Sequence, residues 1–234
     1  MRTIRLVIFD VAGTIIEDHG EVADAFRQAL GQNGIAIAAS QLVEWRGASK
    51  REVIRHLFEQ QLGTGADHSE QIDRTYADFR ALLEDRYRTL GITPIAGVEA
   101  TFKWLADRKI RIATTTGFYR EVNDLILEKA GWRGMIDASI SSSEVRQGRP
   151  APFMIFHAME AAGVTSVSDV MNVGDTPLDL RSGTNAGVGS VVGVLTGSVP
   201  RARLESEPHT HLIPSVADIP DLVQRLSTLP ALPA

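Results

Sequence analysis

The chain of 234 residues contains no cysteine. Disulfides, thiolate metal sites and a cysteine nucleophile are therefore excluded, and the usage fits a reducing compartment, which predicts a cytoplasmic protein. An excess of positive charge is missing too. Lys and Arg number 24 against 29 Asp and Glu, a net charge of −5, so no basic face for nucleic acid is expected. Long apolar runs are also absent: Ile4 to Phe9 is interrupted by Arg5 and stops at Asp10, too short for a membrane span or a signal sequence. There is no internal repeat and no low-complexity tract. With 44% hydrophobic residues the chain can bury a core without staples, and its expected ligand is a small molecule.

Short apolar runs recur at 4–9, 110–114, 170–173 and 190–195, with amphipathic stretches between them at 98–108 and 152–163. That alternation predicts parallel βαβ units in an open α/β sheet. Between Glu17 and Leu90 the period changes to that of helices, with Val22, Ala25, Phe26 and Ala29 on one face and Val53, Ile54, Leu57 and Phe58 on another. A separate helical insert is expected there, bounded by the turn formers Asp18-His19-Gly20 and Gly91-Ile92-Thr93-Pro94. The tail from Thr228 to Ala234, with two prolines, is expected to fray.

Four chemical groups follow one another along this pattern. Asp10 ends the first apolar run and leads into Val11-Ala12-Gly13-Thr14; the hydroxyls of Thr114, Thr115 and Thr116 precede Gly117; Arg149 sits in Gly148-Arg149-Pro150-Ala151-Pro152 before a helix; and Asp175 and Asp179 lie in Gly174-Asp175-Thr176-Pro177-Leu178-Asp179. Phosphoryl transfer needs these parts: a nucleophile, donors to the equatorial oxygens, a fixed cation, and carboxylates to hold a divalent metal. Each member alone has a plainer reading. Asp175 could be a turn former, the three threonines β-branched strand residues and Arg149 a solvated loop charge. An anionic nucleophile meeting an anionic phosphoryl group calls for a bridging metal, and hard oxygen ligands favour Mg²⁺. The expected ligands are Asp10, Asp175 and the backbone carbonyl of Ala12, with Asp179 ligating through water or orienting the others.

In these motifs the chain resembles the haloacid dehalogenase superfamily of aspartate-nucleophile hydrolases, and within it the phosphonatase-like members. The resemblance rests on Asp-Val-Ala-Gly-Thr at 10–14, Thr-Thr-Gly-Phe at 115–118 and Gly-Arg-Pro-Ala-Pro-Phe at 148–153. It implies a Rossmann-like parallel-sheet core, residues 1–16 and 91–234, with an inserted α-helical cap domain, residues 17–90. By resemblance Asp10 is the nucleophile, Thr114, Thr115, Thr116 and Arg149 bind phosphate, and Asp175 holds the metal. A homodimer through the cap is implied in the same way.

The same resemblance implies a cap lysine that forms an imine with the substrate carbonyl, and Gly47-Ala48-Ser49-Lys50 stands at that place. Ser49 with Glu52 has the form of a capping box, which predicts Lys50 in the first turn of a helix. There the helix dipole and the neighbours Arg46 and Arg51 would favour the neutral amine that an imine requires. A solvated lysine and a second phosphate ligand are the other readings of Lys50. Phosphatases of this superfamily carry an acid at the position of Ala12 to protonate the leaving oxygen. Breaking a C–P bond next to an imine expels no oxygen, so loss of the acid and gain of the amine are two halves of one mechanism. Phosphonatases would also have a histidine where this chain has Val53, and a cysteine near Glu21.

The expected function is thus Mg²⁺-dependent hydrolysis of the C–P bond of a 2-oxoalkylphosphonate, through an aspartyl-phosphate and a Lys50 imine. A phosphate monoesterase or mutase of the phosphoglycolate-phosphatase type is the second expectation. A non-catalytic phosphate-binding protein is the third.

Overall fold

The computed structural model describes residues 3–38, 41, 45, 48–63 and 67–228; Arg46, Gly47 and the tail beyond Thr228, named above, lie outside them. Six strands form one parallel sheet: β1 (Leu6–Phe9), β2 (Arg111–Thr116), β3 (Ala138–Ser141), β4 (Val170–Gly174), β5 (Ser190–Val194) and β6 (His211–Ile213), in the spatial order β3-β2-β1-β4-β5-β6. Helices alternate with them. In chain order they are α1 (Glu21–Gln32), α2 (Lys50–Leu62), α3 (Ser69–Leu90), α4 (Val98–Asp107), α5 (Arg120–Lys129), α6 (Phe153–Ala162), α7 (Pro177–Ala186), α8 (Arg201–Glu205) and α9 (Ile219–Thr228). Among the described residues no helix is long and apolar enough to cross a membrane.

A parallel sheet covered on both faces needs strands that are apolar throughout, and all four residues of β1 are buried. Alternate side chains feed two cores. Val7 and Phe9 join the face lined by α4, α5 and α9, where Phe9 meets Phe102 edge-on at 5.4 Å. Leu6 and Ile8 join Met154, Ile155 and Leu180 from α6 and α7 on the other face. Strand order reverses at β1, so β1, β2 and β4 place their carboxyl ends around a single crevice, the place where open α/β sheets bind ligands.

Between β1 and α4 the described residues hold three helices and no strand, as the change of period predicts. Phe26 of α1 and Phe79 of α3 pack edge-on at 5.6 Å, and Asn33 donates from Nδ2 to Asp78 Oδ2 across 2.8 Å at the end of α1. The two crossings to the sheet run side by side: Glu17 N donates to Thr93 O at 2.9 Å and Ile95 N to Ile15 O at 3.0 Å.

Three details differ from the sequence reading. The short strands β3 and β6 were not anticipated. β2 continues through Thr116, so the three threonines belong to the strand itself and do not follow it. Lys50 does begin α2, but the Ser49 hydroxyl caps nothing, so the expected capping box does not form. Ser49 and Glu52 instead lie beside Gly148, where an added Cβ would be 3.6 Å from Ser49 Cβ and 3.8 Å from Glu52 Oε2.

Candidate active site

Asp10 directly follows β1, held by its N–H donating to Val173 O of β4 at 2.8 Å, and is buried. The chain then turns through Gly13 at φ 87°, a conformation that favours glycine. Space demands glycine as well: a Cβ there would lie 2.5 Å from Asp175 Oδ2. Thr14 Oγ1 donates to Asp175 Oδ1 at 3.0 Å, which ties the turn after β1 to the residue after β4. Thr196 closes the far side by donating to Gly13 O at 2.6 Å.

Thr176 caps α7, with Pro177 in the first helical turn. Asp179 returns the cap: its Oδ2 accepts from Thr176 N at 3.0 Å and from Thr176 Oγ1 at 2.5 Å. Its other oxygen, Oδ1, is buried and accepts no hydrogen bond, although Arg149 Nη1 stands 2.8 Å away, off the direction a hydrogen bond requires.

Among the described residues Arg149 is the single cation beside these acids. Nη1 donates to Asp10 Oδ1 at 2.7 Å, while Nη2 donates to Thr115 O at 2.7 Å and to Thr115 Oγ1 at 2.8 Å. Burial works against the guanidinium, but the charges of Asp179 and Asp10 more than offset it and hold Arg149 above its ordinary value. Burial likewise pushes Asp10 up to about 6, with Arg149 opposing and Asp179 adding to the rise. Asp175 stands well above the carboxylate range through burial and the charges of Asp10 and Asp179.

Oxygens of Asp10, Asp175 and Asp179 come within 4.8 Å of one another, all on buried residues. One guanidinium cannot balance three carboxylates, and Asp179 Oδ1 has no hydrogen bond of its own. A hard divalent cation fits this donor set, because it supplies the missing positive charge to oxygen ligands.

The residues named from sequence do not all converge. Asp10, Ala12, Lys50, Thr116 and Asp175 line one cavity of about 730 Å³, counting its solvent-open part, and Arg149, Thr115 and Asp179 back the Asp10 end of it. Thr114 is not brought there. It lies two residues short of the carboxyl end of β2, and its hydroxyl donates to Ser139 of β3 at 2.7 Å, which corrects its expected phosphate contact. The Thr116 hydroxyl accepts from Phe118 N at 3.1 Å. Lys50 Nζ donates to Trp45 O at 3.2 Å and Ala48 O at 3.0 Å, 5.9 Å from the centre of the Phe26 ring. Arg51, the described neighbour of Lys50, pairs with Asp73.

Sequence reasoning missed the remaining walls of the cavity: Asp18, Val22, Phe26, Trp45 and Phe118. Val22 and Phe26 carried a signal in their shared helix face, which reads equally well as core, and Phe118 in the Thr-Thr-Gly-Phe motif, which did not mark it as a wall. Asp18 looked like a boundary turn.

The haloacid dehalogenase-like hydrolase family model matches residues 7–193. Phosphonoacetaldehyde hydrolase of Bacillus cereus is 33% identical over 222 residues, covering 87% of this chain and 80% of that protein. Among solved structures, a phosphonoacetaldehyde hydrolase-like protein from Oleispira antarctica superposes with a TM-score of 0.83 at 22% identity, over 95% of this chain and 92% of that one. A β-phosphoglucomutase from Clostridium difficile does so at 0.82 and 16% identity, over 96% and 97% of the two chains, a likeness of fold. The motif order, the buried acidic cluster at the switch point of the sheet and these matches agree: the chain belongs to the haloacid dehalogenase-like hydrolases.

Proposed function

We propose that this hydrolase cleaves the C–P bond of a small 2-oxoalkylphosphonate, using Mg²⁺, an aspartyl-phosphate on Asp10 and an imine on Lys50. One observation carries the reading: Ala12 and Lys50 line the same cavity as Asp10. The acid that ester cleavage needs is replaced by a group suited to a carbon leaving group. Helices α1 to α3, within residues 17–90, act as the cap over a core of 1–16 and 91–234. The curated relative named a phosphonoacetaldehyde hydrolase supports the same chemistry. Val22, Phe26, Trp45 and Phe118 give the cavity apolar walls, which suit a short carbon chain better than a sugar ring.

Asp10 attacks phosphorus, held in place by the hydrogen bond from Arg149. Thr115 Oγ1 accepts from Arg149, which leaves its hydroxyl proton to donate to a phosphoryl oxygen, and Thr116 lines the same end of the cavity. Asp10, Asp175 and the Ala12 carbonyl would hold the metal, with Asp179 orienting them. Mg²⁺ bound by these residues would supply the positive charge that offsets repulsion between an anionic nucleophile and an anionic phosphoryl group. Lys50 condenses with the substrate carbonyl, and the electrons of the breaking C–P bond move into the protonated imine to give an enamine. Water then hydrolyses the aspartyl-phosphate.

The test is phosphate release from phosphonoacetaldehyde, 2-oxopropylphosphonate, phosphoglycolate and a hexose phosphate, with wild type and Lys50→Ala. The expected result is turnover of the oxo-phosphonates, lost in Lys50→Ala. Turnover of the esters alone would replace this reading with a phosphate monoesterase.

A further inference from the structure

An imine cannot form without proton transfer. Lys50 Nζ starts as a donor to two carbonyls, Trp45 O and Ala48 O, so a base has to take a proton from the amine before it attacks. Departure of hydroxide from the carbinolamine then needs an acid. Around Lys50 on helix α2, Val53 is buried and apolar, His56 packs its ring against Trp45 at 5.1 Å, and Glu52 lies against Gly148 and does not line the cavity.

Ionisable side chains among the described lining residues of the cavity are Asp10, Asp18, Lys50 and Asp175. Asp10 is the nucleophile of the proposed reaction, and Asp175 is held by Thr14 in the acidic cluster. Thr116 and Thr176 also face the cavity, but hydroxyls are poor proton carriers at neutral pH. Asp18 remains. Its Oδ1 accepts from Gly20 N at 2.9 Å, which fixes the carboxyl on the segment leading into α1, the helix that carries Val22 and Phe26 into the same cavity. It also lies outside the carboxylate cluster around Arg149 and so is not committed to the phosphoryl group.

We infer that Asp18 is the acid–base group of the Lys50 imine, an inference that rests on the C–P reading above. The Asp18 carboxylate takes a proton from the Lys50 ammonium. The neutral amine adds to the carbonyl carbon, a proton passes from nitrogen to oxygen, and a neutral carbinolamine results. Asp18, now a carboxylic acid, returns its proton to the departing hydroxyl, which leaves as water while the nitrogen lone pair forms the C=N bond. The products are a protonated imine, one water and the original carboxylate. After C–P cleavage the enamine carbon takes a proton from water, which restores a protonated imine, and the same group serves the reverse sequence, the hydrolysis of that imine.

The experiment is a time course of borohydride trapping on the full chain with Mg²⁺ and 2-oxopropylphosphonate, in wild type, Asp18→Asn and Asp18→Glu, with the thermal midpoint of each variant as a check on folding. The adduct on Lys50 should form about 10²-fold more slowly in Asp18→Asn, at an unchanged midpoint, and Asp18→Glu should recover part of the rate. Equal trapping rates in wild type and Asp18→Asn would overturn the role of Asp18 and leave the imine standing. Turnover by wild type with no Lys50 adduct would overturn the imine, and this inference with it.

Discussion

Arg149 Nη1 lies 2.7 Å from Asp10 Oδ1 with both side chains buried, which binds the proposed nucleophile to the one guanidinium in its cluster among the described residues. Removing the cation leaves buried carboxylates without an opposite charge. Arg149→Ala should cost about 3–5 kcal/mol of stability. It should also lower kcat about 10²–10³-fold, because nucleophile and phosphoryl group lose a fixed charge. Arg149→Lys keeps the charge but not the fork that also holds Thr115, so its loss should be smaller. Denaturant unfolding and steady-state kinetics of the two variants check this ordering.

Stability without metal should depend on pH in a defined direction. Asp10, pushed up to about 6 mainly by burial, binds a proton more tightly in the folded than in the unfolded chain, and Asp175 shifts the same way. The contribution of Asp10 is fully present below about pH 4 and is lost as pH rises through about 6, and that of Asp175 is likewise present at low pH and lost as pH rises. Mg²⁺ restores it by replacing the protons, so stabilisation by saturating Mg²⁺ should be larger at about pH 7.5 than at about pH 5. Thermal unfolding with and without Mg²⁺ at the two pH values reads the difference. A larger effect at the lower pH would contradict this.

Gly197 packs against Asp175 so closely that a Cβ would sit 1.9 Å from its Oδ2. Gly197→Ala should displace that carboxylate and weaken Mg²⁺ binding by about 10–100-fold, an effect of the size seen when groups supporting a metal ligand are changed. Calorimetric titration with Mg²⁺ measures it.

Legibility in the sequence followed the range of the forces. Asp10 and Asp175 could be read because an apolar run ending in a carboxylate and a turn is a local pattern, and parallel strands put both at one sheet edge. Arg149 could be placed only in company with them. Thr114 was misplaced because the sequence does not say where β2 ends: with the strand continuing to Thr116, Thr114 stays two residues inside it, in register with Ser139. The Ser49-Glu52 box failed for a related reason, since both residues face Gly148 from another part of the chain. β3 and β6 are short, and β3, Ala-Ser-Ile-Ser, has too little apolar content to stand out. Asp18, Trp45 and Phe118 meet only through the tertiary fold, so no local pattern marks them as neighbours.

Ala12 fixes the leaving group in this account, so restoring a carboxyl there should change it. Ala12→Asp should raise hydrolysis of simple phosphate esters by about 10²-fold or more over wild type, and lower phosphonate turnover by filling the cavity wall. A rate comparison on p-nitrophenyl phosphate and 2-oxopropylphosphonate decides the matter.

The imine on Lys50 is the central claim. Reduction with borohydride during turnover of 2-oxopropylphosphonate, followed by peptide mass mapping, should find a reduced secondary-amine adduct on Lys50 and on no other lysine. Steady phosphate release with Lys50 unmodified would contradict the account.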